Sequence, residues 1–227
     1  MITRESRSIS IHFMELKTFL SLVTKLKEIP LPGFKSHLLL APLNRHADLN
    51  NTNCNNINPK RAAVLIHFYP SYNGQLSLVL IERNKYPGVH SGQISFPGGK
   101  YEDKDKDLFA TALREANEEV AIQKSTVEYI RTLSKIFIPP SNFMVTPFLS
   151  CSSFRPDLIP ERSEVSEIIE LPLNDLLETR ISLTRLINSS KNTVEVPCFK
   201  YKQKIIWGAT AMILSELKII IQNTLTK

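Results

Sequence analysis

Three glutamates, Glu115, Glu118 and Glu119, are spaced to share one side of a helix. Positions i, i+3 and i+4 are neighbours on a helix surface, so their carboxylates are expected to converge. Like charges at this spacing cost roughly 0.2 to 0.5 kcal/mol per pair, and Arg114, one turn before Glu118, offsets only part of that cost. A hard divalent cation such as Mg²⁺ would offset the rest, because it prefers carboxylate oxygens. Metal ions held there could bind a diphosphate and activate water.

The residues before this helix favour a metal site over a solvated acidic surface, which is the commoner role of such a triplet. A short strand ends in Pro-Gly-Gly at residues 97–99, an acidic loop follows, and a helix is predicted at residues 107–120. Glycine permits a tight loop with positive φ, so the backbone can pass close to the acidic helix. The helical wheel places the glutamates opposite the side expected to be buried, which carries Phe109, Leu113, Ala116 and Val120.

The elements that must position these residues are mostly strands. Apolar, β-branched runs predict strands at residues 61–69, 76–83, 93–96, 127–137, 143–150, 167–171, 194–201 and 204–207. Apolar periodicity predicts helices at residues 13–27, 107–120, 173–179 and from 209 onward. Several strands are joined by hairpin-length loops, which predicts an α+β fold, a mixed sheet sandwiched between helices. Residues 1–34 are predicted to be a helical extension of one domain, residues 35–227.

Composition narrows the class of protein further. The 28 Lys and Arg against 22 Asp and Glu give a formal charge of +6, which favours the approach of anions such as nucleotides. The chain has no basic block with interleaved aromatics, so a nucleic-acid partner is not expected. Cys54, Cys151 and Cys198 lack metal-type spacing and are expected to be reduced thiols. Charges interrupt the apolar runs near both ends, so we expect no membrane segment and a cytoplasmic location.

Residues 98–122 resemble the Nudix box, whose pattern is glycine, five residues, glutamate, seven residues, then Arg-Glu-apolar-x-Glu-Glu-x-Gly-apolar. The resemblance implies an α/β/α sandwich and a hydrolase in which Glu115, Glu118 and Glu119 bind Mg²⁺ or Mn²⁺. It also implies that Arg114 orients these carboxylates through ion pairs.

Two residues depart from the general box. Ala121 replaces the usual glycine, and Gly99 lies one residue too far from Arg114. The position spaced for the upstream glutamate is therefore occupied by Lys106, and an acid nearby would have to serve in its place. The candidates for this upstream acid are Asp105 and Glu102.

A second motif resembles the coenzyme A diphosphatase branch of this family. It comprises LIER at residues 80–83 and HSGQISFPGG at residues 90–99, and that branch also shows the longer spacing and the alanine. The branch usually has arginine where this chain has Gly88, and threonine where it has Glu82. The resemblance implies hydrolysis of coenzyme A or its thioesters to 3′,5′-ADP and 4′-phosphopantetheine. The alternatives are another nucleoside diphosphate derivative, such as ADP-ribose, a dinucleotide or a nucleoside triphosphate, and a catalytically silent nucleotide-binding domain.

A carboxylate must accept the proton of the attacking water, and Glu119, Glu164 and Glu167 are the alternatives. Arg83 and Lys100 flank the glycine loop and could hold phosphates. The residues assigned to catalysis are Glu119, Glu118, Arg114 and Glu164. The residues assigned to substrate phosphates are Arg83, Gly98, Gly99 and Lys100. The protein is expected to be a monomer or a homodimer.

Overall fold

A computed structural model describes residues 14–42, 58–87, 90–187 and 193–226. Cys54 and Gly88 lie outside the described residues, as does the predicted start of the first helix at residue 13. No helix in the described ranges is both long and apolar enough to cross a membrane.

Eight strands form the larger sheet. They are β1 (Lys60–Pro70), β2 (Leu76–Arg83), β3 (Ile94–Ser95), β4 (Gly98–Lys100), β5 (Glu128–Thr132), β6 (Ile136–Ile138), β7 (Phe143–Cys151) and β8 (Val165–Pro172). The strand order is β3-β2-β1-β7-β5, while β4 also pairs with β1, β6 with β7 and β8 with β2. The β1 and β7 strands pair in parallel and the remaining pairs are antiparallel, so the sheet is mixed.

Five α-helices and a small sheet, with two single-turn 3₁₀ segments at Lys124–Thr126 and Pro139–Ser141, complete the described part of the chain. The helices are α1 (Leu16–Glu28), α2 (Phe34–Leu38), α3 (Leu108–Val120), α4 (Leu173–Glu178) and α5 (Gly208–Thr226). The small sheet has the order β11-β10-β9, made of β9 (Ser182–Ile187), β10 (Thr193–Tyr201) and β11 (Lys204–Trp207).

Strand β1 shows why the fold has three layers. Its side chains alternate between two apolar clusters: Ile66 and Phe68 pack with α1 and α5, whereas Ala63 and Leu65 pack with α3. Burial on both faces explains the nearly continuous apolar run in its sequence. The predicted α+β class, with a mixed sheet between helices, is confirmed.

Several elements differ from their predicted extent. The strand predicted at residues 127–137 is divided into β5 and β6, which pair with successive parts of β7 and are separated by an irregular stretch at residues 133–135. The elements that the sequence patterns did not predict are α2, β4 and β9. Helix α1, predicted as part of an extension, packs on the common core, with the Phe19 ring 4.8 Å from that of Phe68. The domain division at residue 34 stays a prediction.

Candidate active site

The site is organised by two glycines in β4, which pairs with β1. Gly98 lies opposite Val64 and Gly99 opposite Ala63. Gly98 has φ 154°, and a Cβ there would overlap the Ala63 carbonyl oxygen and Val64, so no other residue fits without backbone movement. A Cβ at Gly99 would instead overlap the carboxylate of Glu115. The missing side chain of Gly99 thus leaves the space that this carboxylate occupies.

Glu119 is the most buried of the three glutamates, with 1% of its surface exposed. One carboxylate oxygen accepts a hydrogen bond from Gly98 N–H at 2.8 Å, and the other accepts one from Arg83 Nη1 at 3.0 Å. Burial raises the pKa of Glu119 to about 7, against the opposing effects of the Gly98 hydrogen bond and the Arg83 charge. The expectation that all three glutamates face away from the buried side is wrong for Glu119, because β4 and Arg83 cover that side of α3.

The two other glutamates are more accessible. Glu115 is partly buried, and burial raises its pKa. The side chain of Glu118 is 52% exposed and pairs with Arg114 at 2.9 Å across one turn, as the spacing predicted. Phe109, expected on the buried side of α3, keeps part of its surface exposed.

Arg114 joins the acidic loop to the glutamates. Its guanidinium donates to Asp105 through Nε at 2.9 Å and Nη2 at 3.1 Å, and its Nη1 donates to Glu115 at 2.9 Å. Nη2 also donates to the Lys100 carbonyl at 3.1 Å. The planar guanidinium fixes the directions of its N–H donors, so it holds several oxygens in defined positions. A lysine ammonium would constrain those positions less.

Asp105 and Glu102, the two candidates for the upstream acid, occupy different environments. Asp105 is buried and also accepts hydrogen bonds from the Thr111 hydroxyl at 2.9 Å and from Glu102 N–H at 3.0 Å. Hydrogen bonds from Arg114 hold the pKa of Asp105 well below its usual range. Glu102 is exposed, pairs with Lys104 at 3.0 Å and lies 3.8 Å from Arg114. Asp105 is therefore the acid placed to fix Arg114.

A loop before β8 brings a fourth carboxylate, Glu164, toward the same place. Glu161 N–H donates to the Glu119 carbonyl at 2.9 Å, which anchors the loop to the end of α3. Asn84 holds the loop from the other side, because its side-chain amide donates to the Arg162 carbonyl at 2.8 Å and its N–H to the Glu164 carbonyl at 2.9 Å. The sequence patterns gave no signal for Asn84, since both contacts join residues that are distant in the chain.

A cavity of about 450 Å³ lies between β2 and this loop. It is lined by Arg83, Asn84, Lys85, Tyr86, Ser163 and Glu164. Two of the residues assigned from the sequence, Arg83 and Glu164, thus meet at one cavity. Burial raises the pKa of Glu115 and Glu119, and the negative charge of Glu164 makes a smaller contribution in the same direction. Lys100 does not line this cavity. Glu167 does not line it either. Its carboxylate forms an ion pair with Lys204, which forms a second ion pair with Glu82.

The chemistry of these side chains fits a hard divalent cation. Carboxylate oxygens suit Mg²⁺ and Mn²⁺, and a cation would offset the cost of burying charge at Glu115 and Glu119. Across the described ranges, however, no three His, Cys, Asp or Glu side chains are already gathered as a metal-binding group. Oxygens of all three glutamates accept hydrogen bonds from Arg83 or Arg114 instead.

Comparison with known proteins settles the family. The NUDIX domain model matches residues 59–189, which include the glycine strand, the acidic helix and the loop of Glu164. The chain belongs to the Nudix hydrolase family. This Nudix hydrolase is an enzyme of a class that cleaves diphosphate bonds in nucleoside diphosphate derivatives.

Two relatives and one solved structure illustrate the likeness. This Nudix hydrolase is 38% identical over 170 residues to the "Uncharacterized Nudix hydrolase NudL" of Escherichia coli strain SMS-3-5, covering 72% of this chain and 83% of that one. It is 35% identical over 192 residues to "Nudix hydrolase 15, mitochondrial" of Arabidopsis thaliana, covering 80% of this chain but 62% of the plant protein, less than two thirds of its length. The crystal structure of the Nudix hydrolase RenU from M. smegmatis shares the fold, with a TM-score of 0.50, 14% identity, and coverage of 73% and 87%.

Proposed function

We propose that this Nudix hydrolase uses Mg²⁺ or Mn²⁺ to hydrolyse the diphosphate of coenzyme A or its thioesters to 3′,5′-ADP and 4′-phosphopantetheine. The observation that carries the proposal is the position of the second motif. Its first part supplies Arg83, which lines the cavity and contacts Glu119, and its last part supplies Gly98, whose N–H binds the same carboxylate. Two residues of the motif that resembles the coenzyme A branch therefore contact a proposed metal ligand, which supports the assignment.

Glu115, Glu118 and Glu119 are the residues that would hold the metal. A divalent cation bound there supplies positive charge to the diphosphate and lowers the pKa of a bound water. Arg114 positions the first two carboxylates, and Asp105 in turn fixes the plane of the guanidinium. Replacement of Arg114 by lysine would lose the bidentate contact with Asp105.

Glu164 is the proposed general base among the three carboxylates that the sequence left open. It lines the cavity and has no ion-pair partner within 4.0 Å in the described part of the chain. The oxygens of Glu119 already accept from Gly98 and Arg83, and Glu167 is paired with Lys204. Glu164 is thus the carboxylate best placed to accept a proton from water in the cavity.

Arg83 is the proposed phosphate ligand. Arg83 lines the cavity and uses Nη1 to contact Glu119, so a phosphate oxygen could bind guanidinium donors that this contact leaves unused. Lys85 lines the same cavity and adds a second positive charge for an anionic substrate.

The proposal also covers the cellular location, the binding partner and the oligomeric state of the protein. We expect a cytoplasmic protein with reduced thiols, and Cys151 and Cys198 are free and buried. A small nucleotide is the expected partner, without nucleic acid or membrane, and the expected state is a monomer or homodimer. The alternative substrates are ADP-ribose, a dinucleotide or a nucleoside triphosphate.

A substrate panel tests the proposal. The purified full chain is incubated with coenzyme A, acetyl coenzyme A, ADP-ribose, diadenosine tetraphosphate and ATP, each with Mg²⁺ or Mn²⁺, and the products are separated by chromatography. We expect 3′,5′-ADP and 4′-phosphopantetheine from coenzyme A, at a higher kcat/KM than for any substrate outside the coenzyme A group. Preferential cleavage of another substrate would replace the coenzyme A assignment, and no turnover with any would favour a silent nucleotide-binding domain.

A further inference from the structure

A second cavity, of about 680 Å³, lies beside the first turn of α3. Its main lining residues are Arg61, Tyr101, Lys106, Phe109, Tyr129 and Phe148, and none of them lines the cavity of Arg83 and Glu164. Phe109 precedes Glu115 by six residues, which is about 9 Å along a helix. The volume lies within the range of small-molecule sites.

Three aromatic rings form one wall of this second cavity. The centroid of Phe109 lies 5.2 Å from that of Tyr129 and 5.3 Å from that of Phe148. Phe148 is buried, but Tyr129 is 47% exposed and Phe109 is only partly buried. The helical pattern assigned Phe109 to the buried side of α3, yet it lines an open cavity. Partly exposed rings in a cavity wall offer a surface on which another planar ring can stack.

Two positively charged side chains, Arg61 and Lys106, line the same cavity without carboxylate partners. The Arg61 guanidinium lies 3.7 Å from the centroid of Tyr101, and stacking leaves its N–H groups able to bind an anion. Neither Arg61 nor Lys106 is within 4.0 Å of a carboxylate oxygen among the described residues. Asp107 also lines the cavity, and its carboxylate accepts a hydrogen bond from Ala110 N–H at 2.8 Å. The lining side chains therefore carry a net positive charge.

We propose that this second cavity binds a purine nucleotide at a site separate from the diphosphate that is cleaved. The base stacks on Tyr129 and Phe109, and the phosphate binds Arg61 and Lys106. An uncharged aromatic ligand would leave the two cations unused, and a free phosphate would leave the aromatic wall unused. The two features together select a ligand that contains a planar ring and an anionic group.

AMP binding to the full chain tests this proposal, because AMP contains both features and has no diphosphate to be cleaved. Binding is measured by calorimetry with EDTA present, which removes the contribution of a divalent cation at the reaction centre. We expect saturable AMP binding, and at least tenfold weaker binding of adenosine and of inorganic phosphate. Absence of AMP binding at millimolar concentration would overturn the proposal.

Single substitutions locate the site. Tyr129→Ala is expected to weaken AMP binding about tenfold or more, in keeping with base stacking on an exposed ring. Lys106→Gln and Arg61→Gln are expected to weaken it about fivefold each, and they remain informative if Tyr129→Ala does not fold. The matched control is Tyr72→Ala, because Tyr72 is also an exposed tyrosine near an arginine but lies elsewhere. It should leave AMP binding unchanged.

The AMP-binding result does not depend on whether coenzyme A is the substrate that the protein hydrolyses. AMP affinity that survives substitution of Tyr129, Lys106 and Arg61 but falls with Arg83→Gln would place the nucleotide in the reaction centre and overturn the second site. Failure to hydrolyse coenzyme A would not alter these binding measurements. Tyr129→Ala should also keep its rate of coenzyme A hydrolysis within about twofold of wild type in the absence of AMP.

Discussion

The backbone N–H of Gly98 donates a hydrogen bond of 2.8 Å to the carboxylate of Glu119, 21 residues further along the chain. The second oxygen of this carboxylate accepts from Arg83 at 3.0 Å, so strands β2 and β4 both bind one glutamate of helix α3. This buried contact fixes the helix against the sheet. The proposed metal ligand is thereby positioned by contacts within the protein.

Glu119→Gln is expected to lower turnover by about 100-fold or more while the protein still folds. Glutamine keeps the size of the side chain and an oxygen that can accept from Gly98 N–H, but it removes the charge required to bind a divalent cation. Turnover of the preferred substrate is measured together with the melting temperature. Glu128→Gln, at an exposed position of β5, is the matched control. Near wild-type turnover of Glu119→Gln would contradict the proposed metal site.

Alanine substitutions at the two adjacent glycines of β4 should have different effects. At Gly99 the new Cβ meets the Glu115 carboxylate, the end of a flexible side chain, so we expect the fold to survive. The displaced carboxylate should raise the Mg²⁺ concentration for half-maximal activity by about tenfold. At Gly98 the Cβ meets the backbone of Ala63 and Val64, and Gly98→Ala should lower the free energy of unfolding by about 2 kcal/mol or more. An unchanged Mg²⁺ dependence in Gly99→Ala, with the fold intact, would show that Gly99 does not determine the position of Glu115.

The choice of general base is tested by a pair of glutamine variants. Glu164→Gln should lower kcat by about 100-fold, within the range of general-base assistance, with a smaller change in KM. Glu167→Gln removes a carboxylate three residues later that pairs with Lys204, and its kcat should stay within a few fold of wild type. Both rates are measured at saturating substrate and metal. A larger loss of kcat in Glu167→Gln than in Glu164→Gln would contradict the assignment.

Ala121, at the position where the Nudix box usually has glycine, ends α3 in the left-handed conformation with φ 60° and ψ 22°. A residue with a Cβ pays roughly 1 to 2 kcal/mol for this conformation, whereas glycine does not. Ala121→Gly should therefore raise the free energy of unfolding by about 1 kcal/mol, measured by urea denaturation. Ala110→Gly, in the first turn of the same helix, should instead lower it, by at most about 1 kcal/mol. Destabilisation by both substitutions would show that the end of the helix is not strained.

The sequence predicted α3 and the ion pair of Arg114 with Glu118 because both depend on local spacing. Apolar runs likewise predicted β1 and β2, since a strand buried on both faces has a strong composition signal. The burial of Glu119 was not predictable in this way. The burial depends on β4, which begins in the Pro-Gly-Gly sequence at residues 97–99. This sequence is typical of a strand end, and it forms a strand here only because it pairs with β1.

Contacts between distant segments account for the remaining differences. Spacing alone left Asp105 and Glu102 as equal candidates, and only the tertiary structure shows that Asp105 binds Arg114 through two nitrogens. Asn84 has no motif, because its role depends on a carbonyl at Arg162, 78 residues away. The partial exposure of Phe109 likewise depends on how β5 and β7 pack against the first turn of α3.

His67 should make the stability of the protein depend on pH in a defined window. It is fully buried in β1, with ring nitrogens 3.0 Å from the Ser150 hydroxyl and 3.1 Å from the Ser152 hydroxyl, and burial lowers its pKa from 6.5 to about 4. Between these values the unfolded chain binds a proton that the folded protein does not. The contribution of neutral His67 to the free energy of unfolding is therefore fully present above pH 6.5 and is lost as the pH falls toward 4.

His67→Gln removes this titration while keeping an amide that can bind both hydroxyls. From pH 7.5 to pH 4.5, wild type should lose about 2 to 3 kcal/mol more unfolding free energy than the variant, because each pH unit within the window contributes about 1.4 kcal/mol. Urea denaturation at pH 7.5, 5.5 and 4.5 measures both proteins. The carboxylates are shared by wild type and variant, so their acid titration cancels in the difference. Parallel curves for the two proteins would show that His67 titrates alike in the folded and unfolded states.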